Sequence, residues 1–330
     1  MDVLVTGAAG FIGFHLVQRL LARGDTVVGV DNLNDYYSVQ LKKDRLAQLV
    51  GHNGFSFCQV DFSDHEGLVK EVGGRNIPNI VHLGAQAGVR YSLDHPFTYT
   101  QSNVVGHLSL MELARHTPDF RHMVYASSSS VYGGNTVLPF SENDRVDTPV
   151  SLYAATKKSD ELMSQCYSHL YRIPQTGLRF FTVYGPWGRP DMAMWIFTKA
   201  ILEGKPIRVF NHGDMMRDFT YVDDIVSGVI KVLDNPPVEG GDNRTGSDAP
   251  HRVYNIGNHK AESLMHMIDV LENAIGVKAE RQLEPMQPGD VKATYADIDA
   301  IRGDLGFEPT TSIEDGIPKF VAWYRQYHGV

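Results

Sequence analysis

Short apolar runs recur along the first half of the chain, and stretches with helical spacing lie between them. Asp2 to Thr6, Thr26 to Val30, Phe55 to Val60, Ile80 to Leu83, Met123 to Ala126 and Thr176 to Arg179 read as buried strands. The last continues into Phe180, Phe181 and Thr182. Phe11, Ile12, Leu16, Leu20 and Leu21 mark a helix from Phe11 to Arg23, and Gly24 supplies its stop. Residues 97–115 and 153–171 also read as helices. Strands alternating with helices predict a doubly wound, parallel α/β sheet of the Rossmann type with helices on both faces.

Beyond Thr182 the alternation breaks up. Helices at Met194–Glu203, up to about Leu233, at Leu264–Ile275 and at Ile313–Tyr327 are expected, with strands at Ile207–Phe210 and Val253–Ile256. This pattern predicts a smaller α/β domain. The expected division is 1–182 for the sheet domain and mainly 183–330 for the smaller one, with some later segments returning to the first. Asn235 to Pro250, rich in Pro, Gly, Asp and Asn, reads as a solvated loop.

The first strand–helix junction carries candidate chemistry. Gly7-Ala8-Ala9-Gly10-Phe11-Ile12-Gly13 stands between strand and helix, and the next strand ends at Asp31. In this context the glycines form a dinucleotide fingerprint, with a tight turn, close backbone approach to a pyrophosphate, and a helix N-terminus pointing at it. An acid at position 31 suits two ribose hydroxyls and repels a 2′-phosphate, so NAD is expected over NADP. Asp61-Phe62 can hold adenine, and the small residues Gly84 to Gly88 let a cofactor lie across the fourth strand end. His82 reads as a satisfied core histidine. Every candidate falls at a strand carboxyl end, where such sheets bind ligands.

A second cluster runs from Tyr125-Ala126-Ser127-Ser128-Ser129-Ser130-Val131-Tyr132-Gly133 to Tyr153-Ala154-Ala155-Thr156-Lys157. Positions four apart share a helix face, which places Lys157 beside Tyr153. The ammonium favours the phenolate, and a tyrosine tuned this way serves as a general base on a substrate hydroxyl. A serine from the preceding strand end can hold the same hydroxyl. In the second half, Arg189, Arg208 and Arg217 are candidate grips for phosphate or carboxylate.

The net charge of −9 argues against nucleic acid as a bulk partner and leaves room for a local basic pocket. Cys58 and Cys166 lack metal-like spacing and read as core or near-core thiols, which fits a reducing compartment; no metal is expected. The first strand starts at Asp2, with no signal peptide expected, and no apolar run is long enough to span a bilayer. The expectation is a cytoplasmic protein that does not engage membranes.

Gly7, Gly10, Gly13, Asp31, the serine run, Tyr153 and Lys157 resemble the extended short-chain dehydrogenase/reductase family. The segments Asp31–Tyr37, Gln86–Ser92, Gly185–Ala193, Arg217–Asp224 and Pro288–Val291 are similar to nucleotide-sugar 4-epimerases, most of all those acting on UDP-glucuronate. The resemblance implies tightly held NAD and a redox-neutral reaction. Tyr153 would take the sugar 4-hydroxyl proton while hydride leaves C4. Lys157 would orient the nicotinamide ribose. Ser128 would bond the same hydroxyl, assisted by Ser127 and Ser129. The implied cofactor set is Gly7, Gly10, Phe11, Ile12, Gly13, Asp31, Asn32, Asp61, Phe62, Leu83, Ala85, Gln86, Asn103, Tyr153, Lys157 and Phe180. Thr182 and Arg189 would face the sugar carboxylate or nearby phosphate; Arg90, Val209, Arg217 and Asp290 would serve the UDP end. The helices near 97–115 and 153–171 would pair in a homodimer.

Relatives bound the substrate. Dehydratases carry an Asp-Glu pair where Ser129 and Ser130 stand, and decarboxylating UDP-xylose synthases carry glutamate at the position of Ser130. Neutral-sugar epimerases tend to carry Asn where this chain has Thr182. UDP-glucose 4-epimerase is the alternative enzyme. A non-catalytic NAD sensor is the alternative from another class, and such proteins typically lose the tyrosine or the lysine.

Overall fold

A computed structural model describes residues 1–240, 247–287 and 289–330. Its strands are β1 Asp2–Thr6, β2 Thr26–Asp31, β3 Phe55–Gln59, β4 Asn79–His82, β5 His122–Ser128, β6 Gln175–Phe180, β7 Thr182–Tyr184, β8 Ile207–Val209, β9 Met216–Tyr221, β10 His251–Ile256, β11 Ala261–Ser263 and β12 Arg281–Leu283. The helices are α1 Phe11–Arg23, α2 Val39–Ala47, α3 His65–Val72, α4 Tyr91–Asp94, α5 Pro96–Tyr99, α6 Gly106–His116, α7 Leu152–Tyr171, α8 Ala193–Leu202, α9 Val222–Asp234, α10 Leu264–Ile275, α11 Asp299–Leu305 and α12 Ile313–His328.

Seven strands form one sheet in the order β10-β6-β5-β4-β1-β2-β3, and every pairing in it is parallel. Strands buried on both faces favour continuous apolar sequence rather than alternation, and β1 and β2 show this most clearly. The order reverses at β1, which opens a crevice at the strand carboxyl ends. The sheet takes a seventh strand, β10, from far beyond Thr182, paired from His251 against Gln175 to Ile256 against Phe180. Helix α9, also from the second half, packs on α1 and β5. The remaining strands make a sheet β11-β9-β7 and a pair β12-β8, and together with α8, α10 and α12 they cover the crevice.

Two expected elements differ. The helix expected over 97–115 begins as α5, passes through a π-helical turn at Thr100–Val105 and continues as α6. That turn brings Asn103 inward: its Oδ1 accepts from Gln86 N at 2.8 Å, and its Nδ2 donates to Gln86 O at 3.1 Å and Thr156 Oγ1 at 3.0 Å. Single π turns absorb one extra residue in this way. Cys58 is buried as expected, but Cys166 is exposed on α7. Of the Asn235–Pro250 loop, residues 241–246 lie outside the described residues, as does Pro288.

Helix α7 starts at a cap, with the Ser151 side chain accepting from Ala154 N at 3.1 Å. A buried ion pair fastens it to the sheet. Arg179 on β6 donates through Nε and Nη2 to Glu161 Oε1 and Oε2 at 2.8 and 2.9 Å. Burial raises the Glu161 pKa, but Arg179 outweighs it and brings the carboxyl to about 2. Removing one member of such a pair strands the other charge. Glu161→Ala is therefore expected to lose about 3–5 kcal/mol of stability, read by urea denaturation at neutral pH. The contribution is fully present above the ordinary glutamate value of 4.5 and disappears as pH falls through about 2, so the wild-type advantage shrinks across that window.

Candidate active site

The crevice is a cleft of about 1080 Å³ between the carboxyl ends of the large sheet and the covering segments. Gly7, Gly10, Phe11, Ile12 and Gly13 line one end. Gly7 has φ +70°, and a Cβ there would lie 2.8 Å from Gly84 N; a Cβ on Gly13 would lie 2.0 Å from Gly7 O. The turn thus admits only glycine, and it brings bare backbone to the cleft. Helix α1 opens behind it with no side-chain cap, so its first N–H groups are left for a ligand. At the end of β2, Asp31 accepts from Ala9 N at 3.2 Å and Leu33 N at 2.9 Å, and each oxygen keeps a free lone pair. Burial pushes the Asp31 carboxyl up; Lys42 and the two N–H donors oppose it. Asn32, Phe62, Leu83, Ala85, Gln86 and Phe180 complete this wall. These residues fit a dinucleotide: an uncapped helix end, glycines at 7 and 13 where a Cβ would clash with backbone, and a carboxylate at the end of the next strand.

Three of the expected contact residues have their side chains engaged within the protein. Asn103 is turned onto the Gln86 loop and holds it from behind. Asp61, half-buried, accepts from Asn32 Nδ2 at 2.9 Å and Ser63 Oγ at 2.7 Å. Val209 points into the core because side chains alternate on β8, and its neighbours Arg208 and Phe210 face the cleft instead. His82 is a core histidine: its Nδ1 meets Thr6 Oγ1 at 2.7 Å, and burial, with Lys157 nearby, holds it at about 3.

The middle of the cleft carries Ser127, Ser128, Ser129, Tyr153 and Lys157 together. Lys157 is buried. Its Nζ donates to Ala126 O at 2.9 Å and to Asp160 Oδ2 at 3.0 Å. The Ser127 hydroxyl is committed to Glu161 Oε1 at 2.7 Å. Ser128 Oγ accepts from Ser130 N at 3.1 Å, which leaves its own proton free to donate. The geometry therefore separates two serines that the sequence left unranked.

The far end holds Thr182, Arg189, Arg90, Arg208, Arg217 and Asp290. Arg189 is locked against Asp191 by its Nε at 3.0 Å and by Nη2, and Tyr36 donates its hydroxyl to the same carboxylate at 3.2 Å. Burial disfavours the Arg189 cation, but Asp191 outweighs it and holds the guanidinium above its ordinary pKa. Burial and then the Asp191 charge push Tyr36 up to about 12. Arg90 pairs with Asp290 at 2.8 Å, and Arg208 with Glu284 at 2.5 Å. Of the arginines of the second half named from sequence, Arg217 is the one without an ion pair among the described residues; it donates to the carbonyls of Met216 and Lys292 at 2.8 and 3.2 Å, and burial lowers its pKa. Sequence reading assigned no role to Tyr36, Lys42, Asp160 or Asp191. Tyr36 and Asp191 stand in the quoted motifs, and an acid two residues from Arg189 was the available signal.

The GDP-mannose 4,6-dehydratase family model matches residues 4–320. The CapI protein of Staphylococcus aureus is 51% identical, covering 99% of each chain. A probable UDP-glucuronate 4-epimerase of Rhizobium meliloti (strain 1021) is 45% identical over 99% of this chain and 97% of its own. The crystal structure of the UDP-glucuronic acid 4-epimerase from Bacillus cereus, in complex with UDP-glucuronic acid and NAD, superposes with a TM-score of 0.88 at 34% identity, covering 99% of this chain and 100% of its own. With the glycine cradle, the Tyr153–Lys157 pair and near-full-length relatives in agreement, the chain belongs to the extended short-chain dehydrogenase/reductase family, in its nucleotide-sugar branch alongside the UDP-glucuronate 4-epimerases.

Proposed function

We propose that the protein interconverts UDP-glucuronate and UDP-galacturonate by epimerising C4 of the sugar. One observation carries the reading: a single cleft joins Tyr153, Lys157 and Ser128 to an oriented arginine, Arg189, with serines at 129 and 130 where eliminating or decarboxylating relatives keep acids. NAD, when bound, accepts the C4 hydride and returns it to the opposite face.

The chain's own groups do the rest. Tyr153 takes the 4-hydroxyl proton and gives it back after the sugar turns, so neither protons nor electrons are consumed. Ser128 donates its free proton to the same oxygen. Lys157 supplies positive charge beside Tyr153. Asp191 occupies the Nε edge of Arg189, leaving Nη1 and the second Nη2 hydrogen for a carboxylate. Arg217, with Arg90 and Asp290, serves the diphosphate and uridine end.

Oxidation at C4 makes a β-keto acid, which loses carbon dioxide when the breaking C–C bond aligns with the carbonyl π-system. Arg189 with Thr182 holds the carboxylate away from that alignment. The homologues named for UDP-glucuronate support this substrate over a neutral sugar.

The assembly we propose is a homodimer through α6 and α7. Leu162, Cys166 and Leu170 recur every four residues on the exposed face of α7, and Phe97, 86% exposed, stands with Val105 and Leu108 beside them. Such an apolar face on two neighbouring helices is costly in water. Among the described residues no helix is long and apolar enough to cross a membrane. Two unpaired thiols fit a reducing compartment, and the cytoplasm is the proposed location.

Purified protein incubated with UDP-glucuronate and no added NAD should form UDP-galacturonate, resolved by chromatography; turnover of UDP-glucose alone would reassign it as a neutral-sugar epimerase. Tyr153→Phe should lose about 10²-fold or more in kcat while retaining NAD, whereas unchanged turnover would remove the assigned base. Arg189→Ala should release more carbon dioxide per UDP-galacturonate than wild type, measured with carboxyl-labelled substrate; an equal ratio defeats the carboxylate-holding role. Leu162→Glu with Leu170→Glu should sediment as a monomer where the unsubstituted protein sediments as a dimer.

A further inference from the structure

Asp160 lies on α7 one turn beyond Lys157 and has no exposed surface. Its Oδ2 accepts from Lys157 Nζ at 3.0 Å, while Oδ1 has no hydrogen-bond partner. Aspartate is a poor residue for a buried helix interior, and an unpartnered carboxylate oxygen makes it poorer still. Packing alone does not call for an acid here.

The groups around it leave Asp160 one cation to answer. On α7, the neighbouring Glu161 is consumed by Arg179, Lys158 and Ser127. From α6, His107 meets Ser164 through Nε2, and burial holds it well below its ordinary pKa. From β4, His82 is neutral in the same way, at about 3. From β5, burial keeps the Tyr125 phenol well above its ordinary value, and its hydroxyl meets Nε2 of His251 on β10, itself held at about 4. Apart from the closed Glu161–Arg179 pair with Lys158, the charges in this region are Lys157 and Asp160.

Lys157 and Tyr153, four residues apart on α7, both line the cleft. A cation favours a nearby phenolate; an anion held against that cation subtracts from the effect. We propose that Asp160 is a positioning residue for Lys157: it anchors the ammonium against the Ala126 carbonyl and offsets part of its charge, setting how strongly Lys157 favours the Tyr153 phenolate. The inference rests on the reading of Tyr153 as the base. It gives a role to a buried acid that has no packing purpose.

The offset has its own pH window. Burial and then the nearby Glu161 charge raise the Asp160 carboxyl to about 6 against the pull of Lys157. Above that pH the offset is present, and below it Asp160 is protonated and the offset is gone. Asp160→Asn keeps an oxygen for Lys157 and removes the charge at all pH values.

The test needs no substrate. Near-ultraviolet phenolate absorbance of the protein as purified, with its bound NAD, is titrated with and without Tyr153→Phe, and the difference isolates residue 153. In Asp160→Asn this difference should develop about one pH unit lower than in the unsubstituted protein. The acid limb of kcat should move the same way with KM for UDP-glucuronate unchanged, and the two rate profiles should converge below about pH 6, where Asp160 is protonated. Coincident difference titrations, or a change confined to thermal stability, would overturn the proposal. Asp160→Ala gives the same charge test should the asparagine variant not fold, and it should also lower kcat because the anchor is lost. A shifted titration in a protein inactive on UDP-glucuronate would leave this inference standing and remove the substrate reading instead.

Discussion

The ion pair between Glu161 and Arg179 is the constraint on which the rest of the site depends. Two charges without water are tolerable only when their geometry is complete, and here it nearly is. One carboxylate oxygen also takes the Ser127 hydroxyl, the other takes Lys158, and the remaining arm of Arg179 reaches Tyr132 Oη at 3.0 Å. Tyr132 donates in turn to Asn255 Oδ1 at 2.6 Å, and Asn255 Nδ2 holds the carbonyls of Phe140 and Asp297 at 2.8 and 2.9 Å. A continuous polar path therefore runs from the helix that carries Tyr153 and Lys157, under the serine loop, to the segments at Phe140 and Asp297. The serine loop cannot shift without disturbing the pair. That is why Ser127 acts as a strut and Ser128 is the serine left to meet a ligand.

A second buried guanidinium does the same for the other wall. Arg45 has no exposed surface, and it donates to Ala9 O and Tyr37 Oη at 2.9 Å each, to Trp187 O at 2.6 Å and to Gly188 O at 3.1 Å. The glycine turn, the loop after β2 and the loop that bears Arg189 are thus tied to one planar group. Trp187 adopts φ +60°, unusual for a bulky residue, and its carbonyl is one of those that Arg45 grips. Cofactor cradle and carboxylate grip are held in one frame although they are far apart in sequence.

What could be read from the sequence follows the range of the interactions. The Gly7–Gly13 turn, Asp31 and the Tyr153–Lys157 pair announce themselves because their chemistry is local: a turn, a strand end, one helix face. β1 and β2 were legible because burial on both sides favours runs of apolar residues. The π turn that aims Asn103 inward was not legible, because helical periodicity does not reveal it. Nor was the burial of the Val209 side chain, which rests on a one-residue alternation. Cys166 looked like a core thiol because an apolar helix face reads alike whether it meets the core or a partner subunit. Asp160 and Asp191 were passed over because an acid near a cation acquires meaning only once burial is known.

Those acids resolve an apparent contradiction between composition and ligand. A chain with net charge −9 repels a nucleotide sugar at long range, yet the cleft must hold a diphosphate and a carboxylate. Most of its cations arrive already answered: Lys157 by Asp160, Arg189 by Asp191, Arg90 by Asp290 and Arg208 by Glu284. A prepaired cation needs no ligand to be stable, and its carboxylate fixes which edge it presents. Arg189 is then a directional hydrogen-bond donor more than a free charge. Arg217 differs: half-buried, held by main-chain carbonyls and without an ion pair among the described residues, it is a cation left to answer an anion. On the proposed reading, binding strength and sugar orientation fall to different arginines. In a reaction whose intermediate must turn over while its diphosphate stays held, that separation lets the sugar move without release of the nucleotide.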